Sequence, residues 1–297
     1  MAEFQHVSGS TGCLLLKGNC IPVYRISRGE WILMDSGSGF DGEELFSYLT
    51  EHDIQVRAVL TSHAHYDHVG NHRRLGERFG CECIMTAFDA GTVRDTVALK
   101  SCFYSCTQAE IKGQFADMVS RADRVIREED KEIAAGGGIF KVIPIPGHAA
   151  SQVGFITPDG VAYLGDCLLG PEQVRREKMV YMLDWKTSLD TMRQVQSFDG
   201  QPCILSHYGV HSDIKAVAEA NIQAFETVLS RMEEIMPGEF LLEEIVKRAV
   251  LYLGIEVKSI PRARLVERMV RSLVEYMVET GGLQIGVREG VIVYTQP

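Results

Sequence analysis

Histidines and aspartates that repeatedly follow short apolar segments are the feature that most constrains this sequence. The first group is His63-x-His65-x-Asp67-His68, which comes directly after the aliphatic run at 56–60. β-Branched and aliphatic residues dominate that run, which predicts a buried strand. The group therefore lies where a rigid strand gives way to a loop. Such a position holds side chains in place and leaves one side open to a substrate.

The same arrangement occurs three more times along the chain. His148 follows the apolar segment that begins at 140, Asp166 follows the one at 161–164, and His207 follows the one at 202–205. Imidazole and carboxylate groups are ligands for transition metals. Four titratable side chains within six residues would repel one another as the imidazoles protonate, and a cation removes this difficulty because it requires neutral His and ionised Asp. The pattern predicts a site for two metal ions held side by side.

The other histidines are interpreted differently, because a lone histidine is usually a surface residue or a satisfied core group. This applies to His6, His52, His72 and His211. His211 remains a weaker alternative to His207 as the last ligand, but the apolar segment ending at Ser206 favours His207.

On these motifs, the chain between about residues 10 and 212 resembles the metallo-β-lactamase-fold hydrolase superfamily, in particular its glyoxalase-II-like and lactonase-like branches. The resemblance implies an α/β fold, a four-layer αββα sandwich. It also implies that one metal is bound by His63, His65 and His148, that the second is bound by Asp67, His68 and His207, and that Asp166 bridges both.

An earlier aspartate, Asp35, precedes Ser36-Gly37 and matches the structural aspartate of that family. The resemblance implies that its carboxylate orients metal ligands without touching the metal. The alternative is a simple turn residue, since Asp before Ser-Gly often makes local backbone hydrogen bonds.

Two adjacent metals imply a dinuclear hydrolase in which a hydroxide shared by the ions attacks a small thioester, lactone or other ester. Asp67 and Asp166 are the candidate catalytic residues, which accept or pass on a proton as the leaving group departs. Zinc is the first choice of metal, with iron and manganese as alternatives. The alternative functions are a mononuclear-iron persulfide dioxygenase and a non-catalytic effector or nucleic-acid-binding protein on the same fold.

The chain divides into a catalytic domain at 1–212 and a mainly helical extension at 213–297. Within the first, residues 87–135 are predicted to form a helical insertion near the site entrance, ended by Gly136-Gly137-Gly138. The segment at 168–185 follows Asp166 and contains basic and aromatic residues, which are expected to line a substrate pocket. The alternative is that they form a solvated surface. The substrate-pocket candidates are Arg175, Tyr181 and Trp185, together with Tyr208 beside His207.

The extension is predicted to contain long helices followed by a hairpin at 283–294, and it resembles a winged-helix tail. Winged helices can bind nucleic acid, yet residues 215–297 contain 10 Lys and Arg against 12 Asp and Glu. Duplex binding needs clustered positive charge, so nucleic acid is not an expected partner. We expect the tail to pack on the catalytic domain, to form a homodimer through its helices or to close the pocket.

Composition places further limits on the protein. There is no apolar run of about 18 residues, so no membrane span is expected. The first residues have neither a basic start nor an apolar stretch, which predicts a cytoplasmic protein. The eight cysteines lack C-x-x-C spacing and are expected to be reduced, with packing favoured over chemistry for Cys102, Cys106 and Cys167. The net charge of −10 disfavours a polyanionic substrate, so a small molecule is expected.

Overall fold

Two β-sheets form the centre of the structure, a computed structural model that describes residues 2–17 and 19–297. The strands of the first sheet lie side by side in chain order: β1 (Glu3–Ser8), β2 (Thr11–Leu15), β3 (Cys20–Ser27), β4 (Glu30–Met34), β5 (Gln55–Leu60), β6 (Glu82–Thr86) and β7 (Arg124–Ile126). Strands β1 to β4 pair antiparallel, whereas β4 to β7 pair parallel. The carboxyl ends of β4, β5 and β6 therefore lie at one edge of this sheet.

The second sheet contains β8 (Glu132–Ala135), β9 (Gly138–Pro144), β10 (Val153–Ile156), β11 (Ala162–Tyr163), β12 (Cys203–Leu205) and β13 (Gly209–His211). Its order runs from β13 to β8 across the sheet. All of its pairs are antiparallel except β11 with β12. Because β11 and β12 run parallel, the residues that follow them emerge at the same edge.

Helices fill the connections and the C-terminal part. They are α1 (Gly42–Glu51), α2 (Tyr66–Val69), α3 (His72–Phe79), α4 (Ala87–Thr92), α5 (Thr96–Cys102), α6 (Gln108–Gln114), α7 (Pro171–Arg176), α8 (Trp185–Val195), α9 (Ile214–Glu234), α10 (Leu242–Leu253) and α11 (Ile260–Glu279). A third, small sheet comprises β14 (Glu239–Phe240), β15 (Gln284–Arg288) and β16 (Val291–Thr295). None of the helices within 2–17 and 19–297 combines the length and apolar character needed to cross a bilayer.

The α/β sandwich predicted from the sequence is confirmed. Alternate strand residues point to opposite faces of a sheet. Ile32 accordingly packs between the two sheets with Phe155 of the second sheet, whereas its neighbour Leu33 packs on the other face with Leu45 of α1. The outer face of the second sheet is covered by α8 and the C-terminal helices. Fully burying one such side chain stabilises the fold by roughly 1.5–3 kcal/mol.

The predicted helical insertion at 87–135 is helical only in its first part. Helices occupy 87–118, but residues 124–126 and 132–135 form β7 and β8, which extend the edges of the two large sheets. Ile126, Ile133 and Ala135 are buried between the sheets. The free energy gained by burying these apolar side chains outweighs the preference of the neighbouring charged residues for solvent. The glycine break at 136–138 is the hairpin turn between β8 and β9, with positive φ at Gly136 and Gly137.

The C-terminal part has the element order of a winged helix, with a strand, two helices and a hairpin after the long α9. Ser259 caps α11 by accepting the Arg262 amide, and a proline lies in the first turn. This part does not have a separate core. Phe225, Val270 and Leu273 share one apolar cluster with Leu164 and Leu205, which lie within the first 212 residues. The expectation that the tail packs on the catalytic domain agrees with this shared core.

Candidate metal centre

The edge where strands of both sheets end brings the seven predicted ligands together. His63 and His65 follow β5, Asp67 and His68 lie on α2, and the others follow β9, β11 and β12. They form two groups, within each of which the candidate ligand atoms lie within 4.8 Å of one another. The groups are His63, His65 and His148, and then Asp67, His68, Asp166 and His207.

The first group consists of three imidazoles whose nitrogens converge. His65 Nδ1 lies 2.9 Å from His63 Nε2 and 3.0 Å from His148 Nε2. Burial lowers the pKa of all three rings, and the neighbouring histidines lower it further for His63 and for His65, whose pKa falls to about 3. These imidazoles are therefore neutral at neutral pH, which is the form that binds a metal.

The second group is built around Asp166. Its Oδ2 atom lies 3.3 Å from Nε2 of both His68 and His207, and 3.6 Å from Nε2 of His148 in the first group. Burial raises the pKa of Asp166, but His68 and His207 hold it well below its usual value. Burial opposes protonation of His207, yet Asp166 raises the pKa of this imidazole to about 10. Without a metal, the protonated imidazole of His207 therefore supplies the positive charge next to Asp166.

One buried nitrogen tests whether these residues fit a metal. His68 is 1% exposed, and its Nε2 atom lies 3.3 Å from Asp166 Oδ2 but makes no hydrogen bond of good geometry within the described part of the chain. Its other nitrogen, Nδ1, lies 2.8 Å from Asp35 Oδ2, so Nε2 is the one directed at the group. A buried nitrogen whose only polar neighbour is poorly aligned for a hydrogen bond is costly, and a cation would satisfy it. The donor set of imidazoles and carboxylates fits divalent transition metals.

Asp35 is hydrogen-bonded both to Ser62, which precedes His63, and to His68. Its Oδ1 accepts the Ser62 amide at 2.7 Å, and its Oδ2 accepts the hydroxyls of Ser62 and Tyr163, each at 2.5 Å, in addition to His68 Nδ1. These partners are 27 or more residues away in sequence, so its contacts are not those of a local turn residue. Tyr163 also lies 2.8 Å from the hydroxyl of Ser206, next to His207. Asp35 thus fixes the orientation of His68.

Asp89 has a similar position that the sequence did not reveal. Its carboxylate is 2% exposed and accepts the Ala64 amide at 3.1 Å, between the first two histidines. It also accepts the hydroxyls of Thr86 at 2.7 Å and of Ser151 at 3.0 Å. Asp89 thereby ties the His63 loop to the loop that follows His148. The Thr86-x-x-Asp89 spacing signals a helix start but not this long-range contact.

Beside His65 lies a cavity of about 140 Å³. Of the predicted pocket residues, Tyr181 lines it, with its ring 5.8 Å from the His65 ring and 5.4 Å from that of His148. Arg268 of α11 also lines it and donates to the Tyr181 hydroxyl at 2.9 Å. Phe103 and Leu183 add apolar surface. The C-terminal part therefore contributes a wall to the pocket beside the metal groups.

The other pocket candidates lie elsewhere or at the rim. Tyr208 lies next to the second group, 5.8 Å from the His207 ring between centroids. Trp185 is 2% exposed, donates to the Ser272 hydroxyl at 3.1 Å and stacks on Phe225. Arg175 is exposed and lines a different cavity, between the segment at 174–185 and α9. Neither Trp185 nor Arg175 lines the cavity beside His65.

The remaining histidines lie outside both groups, as predicted. His72 is fully buried between the hydroxyls of Ser36 and Thr61, each 2.7 Å from one ring nitrogen. His52 is exposed, and the Nε2 atom of His211 lies 3.0 Å from the backbone oxygen of Tyr208.

Comparison with known proteins gives relatives of modest identity. A hydroxyacylglutathione hydrolase GloC from Haemophilus influenzae is 28% identical over 151 residues, which is 50% of this chain and 66% of the relative. A hydroxyacylglutathione hydrolase from Vibrio cholerae is 24% identical over 136 residues, which is 46% of this chain and 41% of the relative. The chain thus spans less than two thirds of the length of these relatives.

A solved structure shares the whole architecture. A metallo-β-lactamase family protein from Thermus thermophilus aligns with a TM-score of 0.72 at 19% identity, covering 94% of both chains. At this identity the likeness concerns the fold. Residues 15–207, about two thirds of the chain, match the sequence model of the metallo-β-lactamase superfamily. This chain therefore belongs to the metallo-β-lactamase superfamily.

Proposed function

We propose that the protein is a dinuclear metal-dependent hydrolase of a small thioester, lactone or other ester. The observation that carries this proposal is the position of Asp166, whose Oδ2 approaches His148 of one group and His68 and His207 of the other. A carboxylate between two complete ligand sets suits two adjacent ions better than one. Zinc is the first choice, with iron or manganese as alternatives.

Two divalent metals, when bound here, would supply a water of lowered pKa and polarise the oxygen of the bond under attack. Asp67 and Asp166 are the proposed acid–base residues. The Asp67 side chain is 33% exposed, compared with 14% for Asp166, so Asp67 is the more accessible from the opening. Burial raises the pKa of Asp67, but His68 and His207 lower it by a larger amount. This carboxylate is therefore ionised and able to accept a proton.

The pocket beside His65 supports an acyl substrate that carries an anionic group. Tyr181, Phe103 and Leu183 offer apolar contact, and the Arg268 guanidinium lies over the Phe103 ring, 5.8 Å from its centroid. A guanidinium recognises a carboxylate well. The relatives named as hydroxyacylglutathione hydrolases support a thioester first, because an acylglutathione is a thioester.

The environment of α11 supports a small-molecule substrate over nucleic acid. Arg264 pairs with Glu110 of α6 at 2.8 Å, and Arg271 pairs with Glu267 at 3.1 Å. Arg268 faces Tyr181 in the pocket. Three of the four arginines of this helix, Arg264, Arg268 and Arg271, therefore face contacts within the chain and do not form a free basic surface.

The test measures metal content and turnover on purified protein. Wild-type protein should contain close to two metals per chain and hydrolyse members of a panel of acyl thioesters and lactones. Asp166→Ala should abolish turnover, whereas the matched variant His211→Ala, near the site but outside both groups, should retain it. Full activity of Asp166→Ala would contradict the mechanism. One iron per chain with oxygen consumption on a persulfide would favour a dioxygenase instead.

A further inference from the structure

A second and larger cavity lies between the segment at 174–185 and α9. Its volume is about 370 Å³, within the range of roughly 300–1,000 Å³ that is usual for small-molecule sites. Its floor is apolar and buried, formed by Met179, Met182, Trp185, Met192 and Phe225, each at most 4% exposed. Methionines fill irregular gaps and adapt to different apolar shapes. The floor therefore suits a hydrocarbon body.

The buried polar side chain beside the apolar floor already has hydrogen-bond partners within the protein. Asn221 is 4% exposed, and its amide exchanges hydrogen bonds with both backbone groups of Leu169 and donates to the Val217 carbonyl. Asn221 therefore offers the ligand body no free polar group, which disfavours a sugar or a nucleotide at this level. The hydrocarbon end of a ligand would lie at this level.

The charged residues that line the entrance of this cavity are mostly basic, whereas the protein as a whole is acidic. Arg175, Lys178 and Arg231 line it against one carboxylate, Glu177, although the chain carries a net charge of −10. Within residues 2–17 and 19–297, no carboxylate pairs with Arg175 or Lys178. Arg231 donates to the Tyr252 carbonyl at 2.8 Å. Two cations thus remain to receive an anion.

One stretch of chain separates this cavity from the pocket beside His65. Met179, Val180 and Met182 line the large cavity, whereas Tyr181 and Leu183 line the small one. The amides of Leu183 and Asp184 donate to the carbonyl of Gly147, at 2.9 and 3.0 Å, and Gly147 directly precedes His148. A ligand that orders 179–184 would therefore act on the metal loop through these two hydrogen bonds.

We propose that the large cavity binds a small amphipathic carboxylate, with its hydrocarbon body on the methionine floor and its carboxylate at Arg175 and Lys178. Its binding stabilises residues 179–184 and so the loop of His148. This site goes beyond the proposed hydrolase activity, and its test needs no turnover.

Trp185 provides the readout, because it lines the cavity and the only other tryptophan, Trp31, lies in a different core cluster. In a Trp31→Phe background, 8-bromooctanoate should quench Trp185 fluorescence saturably, and unbrominated octanoate should compete. The amine of the same length, 8-bromooctylamine, should quench at least fivefold more weakly. Unsaturable quenching, or equal quenching by the amine, would overturn the site.

Charge variants locate the carboxylate. The double variant Arg175→Gln, Lys178→Gln should weaken quenching by 8-bromooctanoate at least fivefold. The matched control is Arg176→Gln, since Arg176 is exposed on the same helix but does not line the cavity. An equal loss in the control would mean general attraction of anions and would overturn the assignment.

The link to the metal loop is read by hydrogen exchange. Octanoate near its wild-type dissociation constant should measurably slow exchange of the Leu183 and Asp184 amides in metal-loaded wild type, and by clearly less in the double charge variant. Unchanged exchange at these amides while octanoate binds would overturn the link. Absence of ester hydrolysis would contradict the proposed function alone, because both readouts are independent of catalysis.

Discussion

Replacing Asp35 by Asn tests whether this carboxylate orients His68. The Oδ2 atom accepts three of the four hydrogen bonds, so the amide oxygen of Asn should take that position. Its NH₂ group would then face the Ser62 amide, which loses its acceptor. A buried unsatisfied donor costs about 1–3 kcal/mol, and hydrogen bonds to a charged group exceed neutral ones by about 1 kcal/mol each. We expect a loss of about 4–6 kcal/mol in the free energy of unfolding.

The effect on metal binding should be selective. Loss of a partner that orients a histidine ligand typically lowers metal affinity about 10- to 100-fold, or about 1.4–2.8 kcal/mol. Asp35 contacts His68 of the second group directly but reaches His63 only through the Ser62 hydroxyl, which lies 3.0 Å from His63 Nδ1. Titration against a chromophoric chelator should therefore show one weakened site and one that changes by less than about threefold.

Asp41→Asn is the matched control, because Asp41 is also buried and accepts hydrogen bonds from Ser38 and Asn19, but belongs to neither metal group. It should lose stability and retain both metals. Wild-type affinity of Asp35→Asn at both sites would refute the reasoning, as would equal loss of metal in the two variants.

Three further predictions follow from the same contacts. Because the pKa of His207 is about 10 without metal and only the neutral ring binds, metal binding should release a proton at pH 7.5 and tighten as the pH rises, which calorimetry in buffers of different ionisation enthalpy can measure. Gly147→Ala should lower the free energy of unfolding in urea by about 1–3 kcal/mol, because φ is 124° and a Cβ would overlap Ser188. The control Gly80→Ala, also at positive φ but facing open space, should lower it by less. Arg268→Leu should raise KM for an acyl thioester that ends in a carboxylate about tenfold more than for its methyl-ended analogue, and an equal change for both would contradict a role in charge recognition.

The clustering of the seven candidate ligands could be predicted, because each is a residue type with metal chemistry and lies in a segment that follows an apolar strand. Tyr163 and Asp89 were not, since their contacts with Asp35 and Ala64 join residues 128 and 25 positions apart. The aromatic character of Trp185 suggested the pocket beside the metal groups, but this residue shares the buried face of α8 with Leu189 and packs in the core, next to the larger cavity. Strands β7 and β8, with three and four residues, are too short for periodicity to identify.

The orientation of α11 explains how a tail with winged-helix order is compatible with the proposed hydrolysis of a small molecule. In DNA-binding helix-turn-helix proteins, the second helix places its side chains in the major groove. Here Arg264 and Arg268 of α11 instead contact Glu110 and Tyr181 of the catalytic region. Contact with phosphates would require breaking these interactions and uncovering apolar surface such as Leu273, which is fully buried in the shared core. The same packing holds Arg268 in the lining of the cavity beside His65, so the tail forms one wall of the pocket from which we propose that the substrate is recognised.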